Sequence, residues 1–268
     1  MYDLFYFLVI AKKEHLFCDI LKKVIIMRRF EGFFEGDKVR LSKDCEHHAK
    51  VVRLELGEEV EVLISDSLYS CKVSSIIPLE FSDVKKIEVD REIEDEIVFL
   101  CPLLKGDKFE FLLQKSVELG VKKIVPFISS RVIKRITKEE FEKKRTRFEK
   151  IIFEARLQSN RTYRVVLDEL KSYKDALKVS CQNKLIAYED EALKGELIDE
   201  VEGSIAYIVG PEGGFSKEEV ELASQNGFKV VSLGKRILRA ETAALYGLSV
   251  IGYLKEKKDD KLVYYLVF

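Results

Sequence analysis

The stretch Ile208–Gly247, IVGPEGGFSKEEVELASQNGFKVVSLGKRILRAETAALYG, holds five of the chain's 14 glycines before it ends on a sixth. Its order decides the fold class. A buried apolar run leads into a glycine turn, Gly210-Pro211-Glu212-Gly213-Gly214, and then a helix; a second apolar run leads into a second turn at Gly234 and a last helix. Ser216 and Glu219 stand at the spacing of a capping box, and Gly227 stops the helix they open. GPEGG is not G-x-G-x-x-G, and no lysine follows at P-loop spacing, so dinucleotide and nucleoside-triphosphate readings lose their main support. Two glycine turns at the carboxyl ends of strands are still where an α/β sheet binds its ligand, because glycine permits positive φ and close approach. Either turn alone is more often structural than functional.

Outward from this stretch the same alternation runs back to Glu96. Strands are expected at IVFLC (97–101), VKKIVPFIS (121–129), KLIAYED (184–190), SIAYIVG (204–210) and KVVSLG (229–234). Between them lie a helix over 105–120, with Phe109, Leu112, Leu113 and Val117 on one face and Gly120 as its stop, and a long helix over 137–161. A short helix is expected over EALKGELIDEV (191–201), and the last helix over 241–257. This is an α/β domain with a mostly parallel sheet. Before Asp90 the pattern changes to short strands, KVRLS, EEVEVLIS and YSCKVSSII, which suggest a small β-barrel. The acidic run from Asp90 to Glu96 marks the boundary. The expected organisation is an extension (1–26), a β-barrel domain (27–92), the α/β domain (93–257) and a tail (258–268).

Bulk composition narrows the function. The 268 residues are 47% hydrophobic and 35% charged, an ordinary globular composition. Cys18, Cys45, Cys71, Cys101 and Cys181 are odd in number and irregularly spaced, which points to reduced thiols in a cytoplasmic protein rather than a disulfide framework or zinc site. His15, His47 and His48 are the only histidines, and His47-His48 has no partner ligands at metal spacing; one buried and one surface ring are expected, and no metal. Chemistry in the glycine-rich half must proceed without histidine. The apolar start MYDLFYFLVIA falls short of the ~20 residues a membrane span needs. It has no basic start or cleavage site, and Met27 offers an alternative beginning.

The near-balance of 46 basic and 47 acidic residues hides one local excess. Residues 131–164 carry twelve cations against five acids. That is a candidate phosphate-backbone footprint, and equally a solvated helix face with i, i+4 ion pairs such as Glu139–Lys143.

Taken together, GPEGGFSKEEVE and SLGKRILRAETAALYGLSVIGY strongly resemble the RsmE family of ribosomal RNA methyltransferases, of the SPOUT class. LLKGDKFEFLLQKSVELGVKKIVPFISSR resembles the family's first strand–helix–strand unit, and IIFEARLQSNR its central helix end, departing at Arg156-Leu157. RRF near Met27 and HHAKVVRLELGEEVEV resemble its PUA-like β domain. The likeness covers about residues 27–255. It implies a SPOUT-type, trefoil-knotted, parallel-sheet methyltransferase domain after the PUA-like barrel, and a cytoplasmic homodimer. It further implies S-adenosyl-L-methionine as methyl donor and N3 of a uridine in 16S rRNA, within the assembled small subunit, as acceptor.

By the same resemblance the donor is held by Ile208, Gly210, Pro211, Glu212, Gly213, Gly214, Ser232, Leu233, Gly234, Ile237, Leu238, Thr242 and Ala243. Methyl transfer from a sulfonium mainly needs alignment, while the proton on N3 needs a base or a cation that stabilises the uracil anion. Arg239, Glu241 and Glu212 are the catalytic candidates; an ion pair between Arg239 and either carboxylate is the structural alternative. Expected RNA contacts are Arg28 and Arg29 in the β domain, and Arg131, Lys134, Arg135, Lys143, Lys144, Arg145, Arg147 and Arg161 in the basic segment. Another SPOUT enzyme with a different RNA target, and a non-catalytic RNA-binding assembly factor, remain open at this level.

Overall fold

The computed structural model describes residues 28–89, 91–132, 136–189, 196–199 and 201–257. The expected extension, the tail, Lys134 and Arg135 lie outside the described residues. The chain divides into two compact units, Met1–Asp90 and Arg91–Phe268. The division falls just ahead of Glu92, whose carboxylate belongs to the second unit's interior: it accepts from Arg161 and from the amides of Thr162 and Tyr163.

In the first unit β1 (Arg29–Glu35), β2 (Lys38–Leu41), β3 (Glu59–Ile64), β4 (Ser67–Ile76) and β5 (Leu79–Ile87) form one sheet in the order β2-β1-β3-β4-β5. Only β1 and β3 run parallel; α1 (Lys43–Val51) carries the chain from β2 to β3. Ser65 and Asp66 both take positive φ, +45° and +66°, as a two-residue hairpin between right-twisted strands requires. The expected strands are β2, β3 and β4. β1 is interrupted by Gly32, where a Cβ would lie 2.4 Å from the Arg40 carbonyl, so the two strands cross closely. β5 is half-exposed and charged, so it lacks an apolar period. His47 and His48 are both exposed, which corrects the expected one-in, one-out pair; the His48 ring rests 5.9 Å from Phe30.

In the second unit β6 (Ile97–Pro102), β7 (Lys123–Ile128), β8 (Val166–Leu167), β10 (Asn183–Ala187), β11 (Glu196–Leu197), β12 (Ile205–Ile208) and β13 (Lys229–Ser232) give the order β11-β13-β10-β12-β6-β7-β8. The short β9 (Lys171–Ser172) also pairs with β7, and every pairing is parallel. All six residues of β6 are buried, as a central parallel strand requires. Residues 196–197 are a strand on β13, not the helix expected over 191–201; 191–195 and 200 lie outside the described residues.

Helices cover both faces. α2 (Lys108–Glu118), α3 (Lys138–Gln158) and α6 (Ala240–Glu256) close one apolar cluster, with Phe109, Leu112, Leu113 and Val117 turned inward. α4 (Tyr173–Ala176) and α5 (Lys217–Gln225) close the other. The Ser216/Glu219 capping box is formed, and Thr137/Glu140 form a second one at the start of α3. The chain lays β6 down centrally, adds β7 and β8 on one side, then returns to build β10, β12 and β13 on the other. The order therefore reverses between β6 and β12, the kind of crevice in which such sheets bind ligands.

Candidate functional site

β12 delivers its glycine turn to that crevice. The turn doubles back: Gly214 N donates to Pro211 O at 2.8 Å, and Gly214 takes φ +67°. A Cβ on Gly210 would lie 3.1 Å from the Gly214 backbone and 3.3 Å from the Phe215 ring. A Cβ on Gly213 would lie 3.0 Å from both Cβ and carbonyl oxygen of Arg131. The loops after β6 and β7 grip the turn from either flank. Arg131 donates to the carbonyls of Gly213 (3.4 Å) and Phe215 (3.2 Å), while Ser130 N donates to Glu219 Oε1 at 2.8 Å. Lys105 N donates to Glu212 Oε1 at 3.0 Å. Glu212 Oε2 is buried and has no hydrogen-bond partner among the described residues, a costly state for a carboxylate oxygen unless a donor arrives.

The second turn follows β13. Gly234 takes φ +102° and its amide donates to Ser232 Oγ at 3.2 Å. Leu233 and Leu238 are half-buried, whereas Ile237 is 84% exposed. Arg239 occupies the N-cap of α6 without capping it; the guanidinium is exposed and makes no ion pair or hydrogen bond among the described residues. The expected alternative, an ion pair with Glu241 or Glu212, is not formed. Glu241 pairs instead with Lys108 at 3.1 Å. Desolvation pushes the Glu241 carboxyl upward, but a backbone amide, Lys108 and the nearby Arg239 together hold it below the usual carboxylate value. It is thus ionised at neutral pH and a weak proton acceptor.

Two further contacts draw α6 to β12, the strand that leads into the first turn. Tyr207, fully buried on β12, donates from Oη to the Ala243 carbonyl at 2.9 Å. A Cβ on Gly247 would stand 2.1 Å from that hydroxyl, so glycine one helical turn beyond Ala243 is what lets α6 approach β12. Burial pushes the Tyr207 phenol far up, so it stays a neutral donor. Both glycine turns and the RAET turn thereby share the carboxyl edge. Nothing in the sequence marks Lys105 or Lys108, which hold Glu212 and Glu241; KGDK reads there as an ordinary helix start.

The basic residues expected at an RNA face fare unequally. Arg29 and Arg161 are corrected. Arg29 is buried, its guanidinium 2.5 Å and 2.8 Å from Glu61 Oε2. Arg161 is buried against Glu92 and donates to the carbonyls of Val117 and Val121, both at 2.7 Å, tying the end of α3 to the end of α2. Arg145 grips Glu142 with two bonds and reaches the carbonyls of Leu167 and Asp168, clamping α3 to β8. Arg147 pairs with Glu110 at 2.7 Å, and Arg28 with Glu58 at 3.4 Å. Arg156, where the chain departs from its resemblance, is buried and donates to the Thr162 carbonyl. Lys143 and Lys144 are exposed. Among the described residues no cluster of His, Cys, Asp and Glu could hold a metal ion. Cys45, Cys71, Cys101 and Cys181 are free thiols, the first three buried.

Residues 91–252 match the RNA methyltransferase domain family. The ribosomal RNA small subunit methyltransferase E of Mesomycoplasma hyopneumoniae is 37% identical over 169 residues, covering 62% of this chain and 73% of that protein. The protein of the same name from Bacillus subtilis is 30% identical over 227 residues, covering 80% and 89%. The crystal structure of a ribosomal RNA small subunit methyltransferase E from Neisseria gonorrhoeae bound to S-adenosyl methionine superposes with a TM-score of 0.74 at 29% identity, over 85% of this chain and 98% of that one. With the family match spanning well over half of its length and the Bacillus relative matched almost end to end, the chain belongs to the RNA methyltransferase family, among the small-subunit methyltransferase E proteins.

Proposed function

We propose that this protein transfers a methyl group from S-adenosyl-L-methionine to N3 of a uridine in 16S rRNA, acting on the assembled small subunit in the cytoplasm as a homodimer. The observation that carries the reading is that the loop after β6 holds both turns at one sheet edge, its Lys105 amide bonded to Glu212 of GPEGG and its Lys108 paired with Glu241 of RILRAET. The residues there fit such a donor. Gly210 and Gly213 are positions where a side chain would crowd the turn, and Gly214 and Gly234 hold the positive φ that glycine adopts without strain. The orphaned Glu212 Oε2 offers a buried acceptor to a cationic ligand that carries an ammonium group. When bound, the donor supplies an already activated methyl group on a sulfonium.

The chain's own residues then have two tasks. The loops after β6, β12 and β13 align and dry the site. Arg239, near Glu241 but with no ion pair or hydrogen bond to a carboxylate among the described residues, faces the negative charge that grows on the uracil oxygens as the N3 proton leaves. Glu241, held ionised beside Lys108, orients the first turn of α6 rather than taking that proton. Since N3 lies on the pairing edge, the target base is unpaired or flipped when it reacts. The barrel domain and the exposed lysines of α3 hold the surrounding RNA, and the thread of the chain past β12 is that of a trefoil knot. Self-association uses the outer face of α6, where Thr242, Tyr246, Ser249 and Tyr253 recur at helical spacing and all stay exposed. No helix among the described residues is long and apolar enough to cross a membrane.

The test is methylation in vitro, comparing naked 16S rRNA with small subunits from a strain lacking this protein. The expected product is N3-methyluridine at one site, formed on subunits; methylation of another base, or of none, overturns the reading. In parallel, Gly213→Val should stay folded yet lose donor affinity ten- to hundredfold, since overpacking typically costs about 1–3 kcal/mol. Normal affinity by calorimetry would remove the glycine turn from the donor site.

A further inference from the structure

Positive charge left unpaired by the fold gathers on two loops at the carboxyl edge. Residues 105–108 and 235–241 hold five cations, Lys105, Lys108, Lys235, Arg236 and Arg239, against two acids, Asp107 and Glu241. Lys108 and Glu241 neutralise one another. Lys105, Lys235, Arg236 and Arg239 are exposed, and none of their side chains makes a hydrogen bond or ion pair among the described residues. In a chain with as many acids as bases, four such cations against the single remaining Asp107 form a local excess that an external anion would satisfy. The loops are neighbours, because Lys108 touches Glu241 while the Lys105 amide holds Glu212 of the glycine turn.

We propose that Lys105, Lys235 and Arg236, beside Arg239, form the phosphate clamp for the RNA strand that carries the target base, drawn across the mouth of the methyl-donor site. The inference rests on the methyltransferase reading above and names the surface that takes its substrate. A free phosphate or nucleotide would need only the charges. Between Arg236 and Arg239 along the loop stands Ile237, 84% exposed. An exposed apolar side chain on a loop of unpaired cations suits a nucleic-acid strand with a splayed base, which offers phosphates to the cations and an unstacked ring or gap to the isoleucine.

The test titrates salt against binding of the full chain to a uridine-rich single-stranded RNA oligonucleotide. Each phosphate that the protein no longer neutralises lowers the slope of log affinity on log salt by about 0.7, so Lys235→Gln/Arg236→Gln should lower it by about 1.4. Donor affinity, read by calorimetry, should stay within about twofold of wild type, which separates loss of the clamp from collapse of the loop. A matched pair on the amino edge of the same sheet, Lys184→Gln/Lys229→Gln, should leave the slope unchanged. An unaltered slope in the Lys235/Arg236 variant, or an equal fall in the amino-edge pair, overturns the clamp. So does binding to anionic phosphatidylglycerol vesicles in preference to RNA, lost in the same variant. Wild type that binds RNA through these residues but methylates no subunit would sink the enzymatic reading and leave the clamp standing; methylation with an unaltered slope would do the reverse.

Discussion

The α3 segment and the carboxyl-edge loops look alike in charge and differ in what the fold does with it. Along 131–164 twelve cations face five acids; on the two loops five face two. In the folded chain the arginines of the long segment serve as fasteners: Arg145 bonds α3 to β8, Arg156 closes the turn at Thr162, and Arg161 locks two helix ends to Glu92. On the loops, four of five cations reach solvent without a partner among the described residues. A planar guanidinium with five donors can satisfy several carbonyls at once, which is why arginine near helix ends is so readily drawn into structure. Charge density in a sequence therefore overstates a binding face wherever the cations are arginines beside unsatisfied carbonyls.

The sharpest way to break this contrast is Arg161→Met. The Arg161 and Glu92 side chains are 4% and 18% exposed, and removing the cation leaves Glu92 Oε2 and two carbonyls without their donor, while Oε1 keeps the Thr162 and Tyr163 amides. Breaking a buried pair on one side costs about 3–5 kcal/mol, so urea denaturation should show a loss of that size. The salt dependence of RNA binding, measured where the variant is still folded, should not change. A stable variant whose salt slope falls by about 0.7 would return Arg161 to the RNA face.

Much of the α/β unit could be read directly, and the reasons are local. β6, β7 and β12 are short apolar runs bounded by turn residues, and α5 carries both its capping box and its glycine stop. The glycine turns at the candidate site follow from the same signals. What escaped depends on distance along the chain. Lys108 meets Glu241 across 133 residues, and Arg161 meets Glu92 across 69. No period or spacing encodes either meeting. β11 escaped for a different reason: two exposed residues on an edge strand have no apolar pattern to show, and they pair only because β13 presents an open edge. The use of Gly247 also needed the fold, since its reason is the Tyr207 hydroxyl forty residues earlier.

A smaller effect is expected at the junction that joins the loops. Lys108→Met removes the partner that helps hold the Glu241 carboxyl low, so its midpoint, followed by NMR of the side-chain carboxyl carbon, should rise toward the ordinary value. The sign for stability follows from linkage: a carboxyl depressed in the folded state contributes above its unfolded pKa, and that contribution is lost as pH falls through the folded one. Acid unfolding of Lys108→Met should accordingly begin at slightly higher pH than wild type. An unmoved Glu241 midpoint would mean that the helix amide and Arg239 set it and that Lys108 does not tie the loop after β6 to α6.

The smallest effect is expected where the sequence alone would look first. Lys143 and Lys144 lie exposed on α3, and no hydrogen bond or ion pair among the described residues ties their side chains to the fold. They sit on a helix whose neighbouring acids, Glu140, Glu142 and Glu149, lie within one or two turns and screen them. Long-range attraction to RNA falls off within about 8–10 Å at physiological salt, so lysines beside the path of the strand contribute less than cations on it. Lys143→Gln/Lys144→Gln should lower the salt slope by less than half as much as Lys235→Gln/Arg236→Gln, with donor affinity untouched in both. If the α3 pair instead gives the larger fall, the strand runs along the helix, and exposed charge on α3 outweighs the loop cations at the sheet edge.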